Sequence, residues 1–412
     1  MFVILILLIV VMPSNLIRSK LVLVGGGHSH SVALSSWLGQ QSLGRSPTLL
    51  ESPDRPIADI TLITPNAQTI YSGAVPGYLA GWSNRAACSV NVAGLAKSLG
   101  INVIFDEAIG LDLTQKCVLS RNHSPIAFDV LSLDIGSTPQ IPAIPSQRII
   151  PMKPMGMFLD LLEPYFKLGP SETLSIVIVG CGLGGIEVAL SLKERLGNQL
   201  DLSLICRSQT IAPTQSKGMQ EALNYELESR SIRVYLNTAV NAVQENANGV
   251  NLILKSGECH SDLSCDVSLW ATQATSVPWI RDSGLMTDDR GFVLVDRTLR
   301  SVSHSNVFAS GDIATLYNHN RNNPQPKAGV FAVRQGPIVA HNLRQTLANR
   351  SLQVFNPQSR YLSLVSLGDR RAVASYGEFS ITTQILQPWF WHLKKTIDDG
   401  FVSGLNRSSA IH

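Results

Sequence analysis

The chain has 412 residues, more than one hydrophobic core usually serves, so we expect two or three domains. Charged residues make up 15% of the sequence and the formal net charge is +3, without a basic run. This balance argues against nucleic acid as a partner. The six cysteines are scattered without metal-ligand spacing. We therefore expect no metal site, and we interpret all six as buried structural thiols of a protein from a reducing compartment.

An unbroken apolar run, Phe2 to Met12, opens the chain and ends at Pro13. It is shorter than the about 20 apolar residues that span a bilayer. It also lacks the basic start and small-residue cleavage site of a signal peptide. Arg18 and Lys20 follow and favour the cytoplasmic side for the rest of the chain. Three interpretations stay open for 1–19: a shallow membrane anchor, a signal remnant, or an extension without function.

Residues 20–64 predict a strand, a glycine-rich turn, a helix, a loop and a second strand. Leu21–Val24 is a continuous apolar run, which is typical of a strand buried on both faces of a parallel sheet. The turn Gly25-Gly26-Gly27-His28-Ser29-His30 follows it. The stretch 40–58 is rich in Pro, Ser and charge and predicts a surface loop. This first unit closes with a strand and a small-residue turn over Val130–Ser137, which includes Gly136.

The same order of elements recurs from Ser175 onward. The apolar run Ile176–Val179 leads into Gly180-Cys181-Gly182-Leu183-Gly184-Gly185, a complete GxGxxG turn. Asn248-Gly249 lies between two alternating runs and predicts a β-hairpin. The second unit closes with Val267–Gln273. Architecture is therefore duplicated within the chain.

Glycines in a strand-to-helix turn let the backbone approach a pyrophosphate, and the helix N-terminus supplies unpaired N–H groups. One such turn is a weak signal, because it can be purely structural. Two copies, together with an apolar strand that ends in Gly311-Asp312, predict two dinucleotide sites. In the first turn His30 replaces the usual third glycine. We interpret His28 and His30 as phosphate or packing contacts.

The acidic residue that usually binds ribose is missing after the second strand of both units. Thr64 stands there in the first unit, and Arg207, beside Ser208, in the second. An arginine at this point can pair with a 2′-phosphate, which favours NADPH. The alternative is a solvated arginine at a strand end.

From about 20 to 400 the chain resembles the pyridine nucleotide-disulfide oxidoreductase superfamily. Within it, the chain is most similar to the type II NADH dehydrogenase-like flavoproteins that are often fused to selenide, water dikinase, although no dikinase segment follows residue 400. The segments that carry the resemblance are LVLVGGGHSH (21–30), ITLITPNAQTIYSGAVPGYLAG (60–81), VFASGD (307–312), PKAGVFAVRQGP (326–337) and RYLSLVSLGDRRAVAS (360–375).

The resemblance implies an α/β fold with two Rossmann-like three-layer nucleotide-binding domains, one for FAD and one for NAD(P)H, and a small α+β C-terminal region. We expect an apolar N-terminal segment over 1–19 and a discontinuous FAD-binding domain over 20–145 and 288–347. The NAD(P)H-binding domain is expected over 146–287. A hairpin and an amphipathic helix are expected over 348–412.

The resemblance also implies which residues hold the cofactors and act in the reaction. Asp312 would hydrogen-bond the flavin ribitol; the alternative is a Gly-Asp turn or a helix N-cap. Glu187 matches a glutamate near the nicotinamide–flavin contact, or is a favourable acid in a helix first turn. Gln335 falls where such enzymes approach quinone. The residues expected to bind cofactors are Gly25, Gly26, Gly27, His28, Ser29, His30, Thr64, Gly136, Gly311, Asp312, Lys327 and Ala328 for FAD, and Gly180, Gly182, Gly185 and Arg207 for NAD(P)H.

Two further features bear on the reaction. Residues 65–81 contain no cysteine and Cys88 stands alone, so a thiol–disulfide relay is disfavoured and direct hydride transfer through flavin is favoured.

The C-terminal helix carries apolar residues at near-helical spacing, Leu386, Phe390, Leu393, Ile397 and Phe401. Trp389 and Trp391 adjoin Lys394 and Lys395, which suits a membrane interface. The alternative is a helix that covers the protein's own sheet or a dimer contact.

The sequence therefore predicts an FAD-dependent NAD(P)H dehydrogenase that passes electrons to a quinone or another small electron acceptor. We expect peripheral membrane contact, a location on the cytoplasmic side of a membrane or in the cytoplasm, and allow a homodimer. One alternative is a soluble flavin reductase linked to selenium metabolism. The other is a flavin redox-sensing module without turnover.

Overall fold

The structure is a computed structural model that describes residues 18–42, 58–142, 144, 146–167, 169, 171–247, 249–317 and 326–410, without the side chains of 40–42 and 409–410. The apolar run 2–12 and most of the predicted loop 40–58 lie outside these residues. No helix within these ranges is long and apolar enough to cross a membrane.

The helices of the described ranges are α1 (His28–Ser42), α2 (Val75–Leu79), α3 (Val92–Ser98), α4 (Met155–Leu162), α5 (Leu183–Leu196), α6 (Lys217–Ser229), α7 (Pro278–Asp282), α8 (Gly329–Leu347) and α9 (Gln387–Ala410). The strands are β1 (Ser19–Val24), β2 (Ala58–Thr64), β3 (Thr69–Ile70), β4 (Ser89–Val90), β5 (Asn102–Phe105), β6 (Ala108–Asp112), β7 (Cys117–Ser120), β8 (Ile126–Ala127), β9 (Val130–Leu133), β10 (Thr138–Pro139), β11 (Ile149–Pro151), β12 (Leu174–Val179), β13 (Leu200–Ile205), β14 (Arg233–Tyr235), β15 (Ala239–Asn246), β16 (Gly249–Ser256), β17 (Cys259–Cys265), β18 (Val267–Trp270), β19 (Ala274–Thr275), β20 (Val293–Val295), β21 (Val307–Ala309), β22 (Ala314–Leu316), β23 (Leu362–Ser366), β24 (Ala372–Tyr376) and β25 (Phe379–Ile381).

The first large sheet is parallel, in the order β21-β9-β1-β2-β5. Its central strand β1 is buried because Leu21–Val24 are apolar throughout. Strand β21 joins this sheet from far along the chain and brings Gly311-Asp312 to the edge where β1 and β9 end. Helices α1 and α8 pack together beside the sheet, where the Trp37 indole N–H donates to the Ala340 carbonyl at 3.1 Å.

The second large sheet repeats this architecture in the order β11-β18-β12-β13-β14, again all parallel. Strand β12 leads directly into the second glycine turn and α5, as β1 leads into α1. A three-stranded antiparallel sheet, β15-β16-β17, is attached to this unit. Its first two strands pair Asn246 with Gly249, which confirms the predicted hairpin, although Asn248 itself lies outside the described residues.

The C-terminal region is a three-stranded antiparallel sheet, β23-β24-β25, followed by α9. The predicted strands on either side of Gly368-Asp369 are confirmed as β23 and β24. Arg371 ties this region to the second unit, because its guanidinium donates to the buried Glu226 carboxylate of α6 at 2.7 Å. Together, these elements confirm the predicted α/β fold class. The exact domain boundaries stay a prediction.

Helix α9 corrects one expectation about its apolar residues. The predicted stripe does not form a single face, because Phe390 is buried whereas Leu386 and Ile397 are exposed. Phe401 instead packs on the ring of Tyr71, with 4.5 Å between ring centroids. The helix thus covers the protein's own interior along one side and leaves apolar groups outside on another.

The cysteines correct a second expectation. Cys181 in the second glycine turn and Cys206 after β13 form a disulfide, so these two are not free thiols. Cys259 is exposed rather than buried, while Cys88, Cys117 and Cys265 are buried free thiols as expected. The disulfide joins two residues of the second unit and none of residues 65–81, the stretch whose lack of cysteines disfavours a thiol relay. The turn and the strand end simply approach closely, which spacing along the sequence does not reveal.

Candidate active site

The first glycine turn is closely packed under β9. Gly25 has φ +92° and a Cβ there would lie 2.3 Å from the main-chain oxygen of Asp134, so only glycine fits. A Cβ on Gly27 would lie equally close, 2.3 Å, to the Asp134 carboxyl group. The turn can therefore bring its backbone unusually near to neighbouring groups, as pyrophosphate binding requires.

His30 is a packing residue of this turn. Its Nδ1 lies 2.7 Å from the Gly25 carbonyl oxygen and its Nε2 lies 2.8 Å from the Ser132 hydroxyl. Burial lowers the pKa of His30 to about 4, so the ring is neutral. Both ring nitrogens are used within the fold, which favours the packing interpretation over a phosphate contact. Ser29 is also engaged, since its hydroxyl donates to the Ala332 carbonyl of α8 at 2.7 Å.

Asp134 is a residue of the site that sequence reasoning missed. Its carboxylate accepts from the His30 main-chain N–H at 2.9 Å and also from that of Ser29, both at the N-terminus of α1. Burial, together with the nearby Asp312 charge, raises the pKa of Asp134 to about 7. An acid inside the otherwise apolar and small-residue run of 130–137 was the signal that could have found it.

Asp312 lies at the same edge, on the turn that follows β21. Its carboxylate accepts from Lys153 Nζ at 2.6 Å and from the Ser137 hydroxyl at 2.9 Å. Burial alone would raise its pKa, but the charge and hydrogen bond of Lys153 hold the pKa of Asp312 below its usual range. Asp312 is therefore a fixed negative charge and a hydrogen-bond acceptor. Lys153 follows β11 of the second unit and belongs to no sequence motif, so it was not predicted.

Gln335 supports this turn from α8. Its side-chain carbonyl accepts from the Gly311 main-chain N–H at 2.6 Å, and the residue is only 3% exposed. Gly311 has φ +68° and lies so close to Asp134 that a side chain there would clash with that carboxylate. The geometry gives Gln335 a part in holding the Gly311-Asp312 turn. The predicted part in catalysis stays a prediction.

His28 begins α1 and is the least satisfied group of the site. Its Nε2 is buried and has no hydrogen-bond partner among the described residues. Its ring packs edge-on to Tyr71 at 5.4 Å and lies 6.2 Å from Phe401. Burial lowers the pKa of His28 to about 4, against the opposing charge of Asp312. A neutral, buried and unpartnered imidazole nitrogen beside the glycine turn fits a polar ligand.

A cavity adjoins Asp312. It is lined by Gly311, Asp312, Thr315, Lys327, Ala328 and Phe331, among others. Lys327 Nζ donates to the Ala314 carbonyl at 2.6 Å and lies 3.9 Å from the Phe292 ring centroid. Burial lowers the pKa of Lys327 to about 8. The predicted residues Gly311, Asp312, Lys327 and Ala328 are thus brought together around one space.

The second glycine turn is more open. Gly180 has φ +118° and Gly185 would place a Cβ 2.2 Å from the Gly180 carbonyl oxygen, so both are required by the fold. Gly182, the N-cap of α5, has nothing within 4 Å of a built Cβ. Arg207 is exposed just beyond β13, next to the disulfide that joins the turn to this strand end.

Glu187 on α5 lies where the second unit meets the C-terminal region. Its carboxylate accepts from the Ser366 main-chain N–H of β23 at 2.8 Å. Burial raises the pKa of Glu187, although the charge of Lys394 on α9 opposes this. Glu187 is therefore in reach of α9, which the sequence did not place near it. Lys394 and Asp398 form an i,i+4 pair there, a spacing visible in the sequence once the helix is known.

Thr64 and Gly136 complete the predicted set in the first unit. The Thr64 hydroxyl donates to the Asn66 carbonyl at 3.1 Å and is close to Gly26. Gly136 has φ +75° and open space around it. Both lie near the end of the first sheet. The other predicted residues, Arg207, Gly182 and Glu187, belong to the second unit.

The residues present fit FAD in the first unit. Three features support this fit: the unpartnered His28 Nε2, the closely packed Gly25 and Gly27, and the Asp312 carboxylate that Lys153 holds in place. Gly27 and the start of α1 would hold the pyrophosphate, and Asp312 would accept from a ribitol hydroxyl. Asp134 accepts from main-chain N–H groups at the same helix start, so a protonated Asp134 would repel a phosphate there less than a charged one.

Residues 19–336 match the family described as pyridine nucleotide-disulphide oxidoreductase, and the chain belongs to this family. Membership confirms the predicted class, an oxidoreductase that works with FAD and NAD(P)H.

Two relatives in sequence and one in structure show the range of similarity. The demethylphylloquinone reductase NdbB of Synechocystis sp. is 27% identical over 51% of this chain and 54% of its own. The alternative NAD(P)H-ubiquinone oxidoreductase C1 of Arabidopsis thaliana is 25% identical over 60% of this chain and 51% of its own. The chain thus spans about half the length of these two. The structure of NDH2 from Plasmodium falciparum in complex with NADH has a TM-score of 0.70 at 14% identity, covering 92% of this chain and 97% of that one. It shows the shared fold.

Proposed function

We propose that the chain is an FAD-dependent NAD(P)H:quinone oxidoreductase. The observation that supports it best is a series of contacts through His28 and α9. His28 lies within electrostatic reach of Asp312 and Lys153, and its ring is 6.2 Å from that of Phe401 in α9. Glu187 of the second unit lies within electrostatic reach of Lys394 in the same helix. A donor held by the second unit and an acceptor beside α9 would both reach the same centre. The similar Synechocystis and Arabidopsis proteins are named as reductases of demethylphylloquinone and of ubiquinone, which agrees with this acceptor.

The chain's own residues would bind the cofactors, orient them and shield them from water. Asp312, with Lys153 and Ser137 on one of its oxygens, keeps another lone pair for a ribitol hydroxyl. His28 and Tyr71 close the site on the side of α9. Bound FAD supplies the two-electron chemistry, while the protein supplies geometry and exclusion of water. Glu187, bonded to Ser366, sets the position of the C-terminal region against the second unit.

The decisive experiment is anaerobic stopped-flow reduction of the FAD-containing protein with NADH and with NADPH, followed by mixing with a soluble quinone. Bleaching of the flavin by either nucleotide and fast reoxidation by quinone are expected. A flavin that stays oxidised with both nucleotides would end the proposal. Slow reduction of a tightly held FAD would favour the flavin redox-sensing module without turnover. Turnover only with a soluble selenium compound as acceptor would favour the soluble flavin reductase linked to selenium metabolism.

We further propose a peripheral membrane contact at the start of α9. Large apolar side chains are exposed over 376–389: Phe379 by 72%, Ile385 by 87% and Trp389 by 59%. Exposed apolar groups so close together are typical of a surface that contacts a partner or a lipid. The lipid is favoured because this patch leads directly into α9, the helix beside which we place the acceptor, and quinones are dissolved in the bilayer.

The membrane contact is tested by sedimentation with anionic liposomes. The variant F379S/I385S/W389S should lose most of its liposome binding and keep its activity with a water-soluble quinone. F105S is the matched control, because Phe105 is 48% exposed on the first unit. Equal binding of the wild type and the triple variant would overturn the contact. A location on the cytoplasmic side stays a prediction that protease protection in vesicles would test. A homodimer also stays a prediction, and light scattering would test it.

A further inference from the structure

The second glycine turn carries a covalent link that the proposed reaction does not use. Cys181 stands between Gly180 and Gly182 of this turn, and its sulfur is bonded to that of Cys206, the residue that directly follows β13. The two cysteines are 25 positions apart in the chain. Both ends of the link therefore lie where a dinucleotide would be held, one beside its pyrophosphate and the other beside its ribose.

The link restrains the loop that begins with Arg207. Cys206 is fully buried, whereas Arg207 and residues 209–210 are exposed. At the far end of this loop the Ala212 main-chain N–H donates to the Cys181 carbonyl oxygen at 2.8 Å. The loop is thus fastened to the glycine turn by the sulfur bond at its start and by a hydrogen bond at its end. Breaking the sulfur bond would release the first of these fastenings and give Arg207 more positions to occupy.

The surroundings of the pair also accommodate the reduced state. The Cys206 Sγ lies 3.3 Å from the Ser208 hydroxyl oxygen and 3.4 Å from the Thr210 carbonyl oxygen. A released Cys206 thiol would therefore find acceptors for its S–H group without a change of the fold. Cys181 is slightly exposed, and the neighbouring Gly182 is exposed with open space around it. We therefore expect an incoming thiol to attack the Cys181 sulfur.

Resting on the proposed function, we propose that Cys181 and Cys206 form a thiol–disulfide switch that sets how tightly the second unit binds NAD(P)H. With the bond formed, the loop that begins with Arg207 is already ordered, and binding has to order less of it. With the bond broken, this ordering occurs on binding, and the affinity falls. The switch is distinct from a thiol relay beside the flavin, because it joins two parts of the nucleotide-binding unit and none of residues 65–81.

The switching step balances in atoms and electrons with a small dithiol as the reductant. One thiolate of the dithiol attacks the Cys181 sulfur and forms a mixed disulfide with it, while the Cys181–Cys206 bond breaks and Cys206 leaves as a thiolate. The second thiol of the reductant then displaces the Cys181 sulfur. Each cysteine takes up one proton. The protein gains two electrons and two protons, and the dithiol loses both as it becomes a cyclic disulfide.

The test measures the affinity of the FAD-containing full chain for NADP⁺ and NAD⁺ by calorimetry, before and after treatment with dithiothreitol and its removal under nitrogen. These oxidised nucleotides do not reduce the flavin, so binding is measured without turnover. Reduction should weaken NADP⁺ binding roughly 3- to 10-fold, the scale of ordering one side chain at a binding site. NAD⁺ binding should weaken less, because NAD⁺ lacks the 2′-phosphate that Arg207 would contact. Reoxidation with diamide should restore the affinity, and alkylation with mass spectrometry reports the state of both cysteines.

Two variants separate the switch from a general effect of the reductant. C206S should bind NADP⁺ as weakly as the reduced wild type and should not respond to dithiothreitol. C259S is the matched control, because Cys259 is an exposed free thiol on β17 of the same unit, and it should respond as the wild type does.

Equal affinity in the two states, a bond that dithiothreitol leaves intact in the folded chain, or a C206S that still responds would each overturn the switch. Loss of FAD or of cooperative unfolding on reduction would also overturn it, because the bond would then be a structural link. If C206S does not fold, C181A and the reduced wild type decide. A wild type that binds neither nucleotide in either state would instead overturn the proposed function, and the switch with it.

Discussion

The two glycine turns share a place in two similar parallel sheets but differ in how they are surrounded. The first is enclosed: Asp134, His30 and Gln335 fill the space around it and tie it to β9, α8 and the Gly311-Asp312 turn. The second is open at Gly182, and Arg207 beside it is exposed.

This difference matches what the two cofactors have to do. A flavin that stays bound through many cycles profits from a closed site with fixed charges, such as Asp312 held by Lys153. A nicotinamide nucleotide enters and leaves in each cycle, so its site has to be reachable. Substitutions should therefore cost more in the first turn than at equivalent positions in the second.

The largest contrast is expected between Gly27→Ala and Gly182→Ala, which stand at the same position of the two turns. G27A places a methyl group 2.3 Å from the Asp134 carboxyl group, whereas G182A meets open space. Overpacking of this kind costs about 1–3 kcal/mol. G27A should lose most FAD absorbance and unfold at a lower temperature, while G182A should keep both near the wild type. Similar FAD content in the two purified variants would remove the contrast.

The next contrast compares the Lys153–Asp312 ion pair beside the first turn with the Arg233–Asp201 ion pair of the second sheet. K153M leaves the nearly buried Asp312 without its cation, which should cost about 2 kcal/mol, less than a fully buried pair because Lys153 is one-third exposed. R233M breaks a pair whose side chains are 55% and 56% exposed and should cost less than about 1 kcal/mol. Urea unfolding measures both. An equal loss of unfolding free energy in K153M and R233M would show that Lys153 does not stabilise the first site more than a surface ion pair does.

A smaller effect is expected from pH at Asp134. Its folded-state pKa is raised to about 7 by burial, so its contribution to stability is present at low pH and is lost as pH rises towards 7. Asp134→Asn removes the ionisation and should gain stability relative to the wild type at pH 8, less at pH 5 and little near pH 4. Thermal unfolding across this range checks it, and the difference between variant and wild type cancels other titrations. A pH-independent difference would contradict the ionisation.

Local patterns predicted much of this architecture. Apolar runs predicted β1 and β12, and Asn-Gly predicted a hairpin, because each depends on neighbours along the chain. The glycine turns were found for the same reason: their geometry follows from residues a few positions apart.

The rest depended on contacts between distant residues. Lys153 meets Asp312 across 159 positions and Ser366 meets Glu187 across 179, and no local pattern signals such pairs. The stripe on α9 failed because one helix serves two surfaces: Phe390 faces its own sheet and Phe401 faces Tyr71. The same applies to Cys181 and Cys206, which only the return of β13 brings together.

The smallest effect is expected at Arg207, and it tests how the open second turn selects its nucleotide. Arg207 is exposed at the end of β13, beside the open turn, and we expect it to pair with a 2′-phosphate. A charge-assisted hydrogen bond of this kind is worth about 1.5–3 kcal/mol, so Arg207→Glu should lower the preference for NADPH over NADH roughly tenfold or more. Flavin reduction rates at several concentrations of each nucleotide measure the preference. R233E, at an exposed arginine on the neighbouring strand β14, is the control and should leave the ratio unchanged. If R207E and R233E shift the ratio equally, Arg207 acts through the general charge of the surface. A shift confined to R207E would mean that the open turn selects its nucleotide by one contact, whereas the enclosed turn holds its cofactor by many.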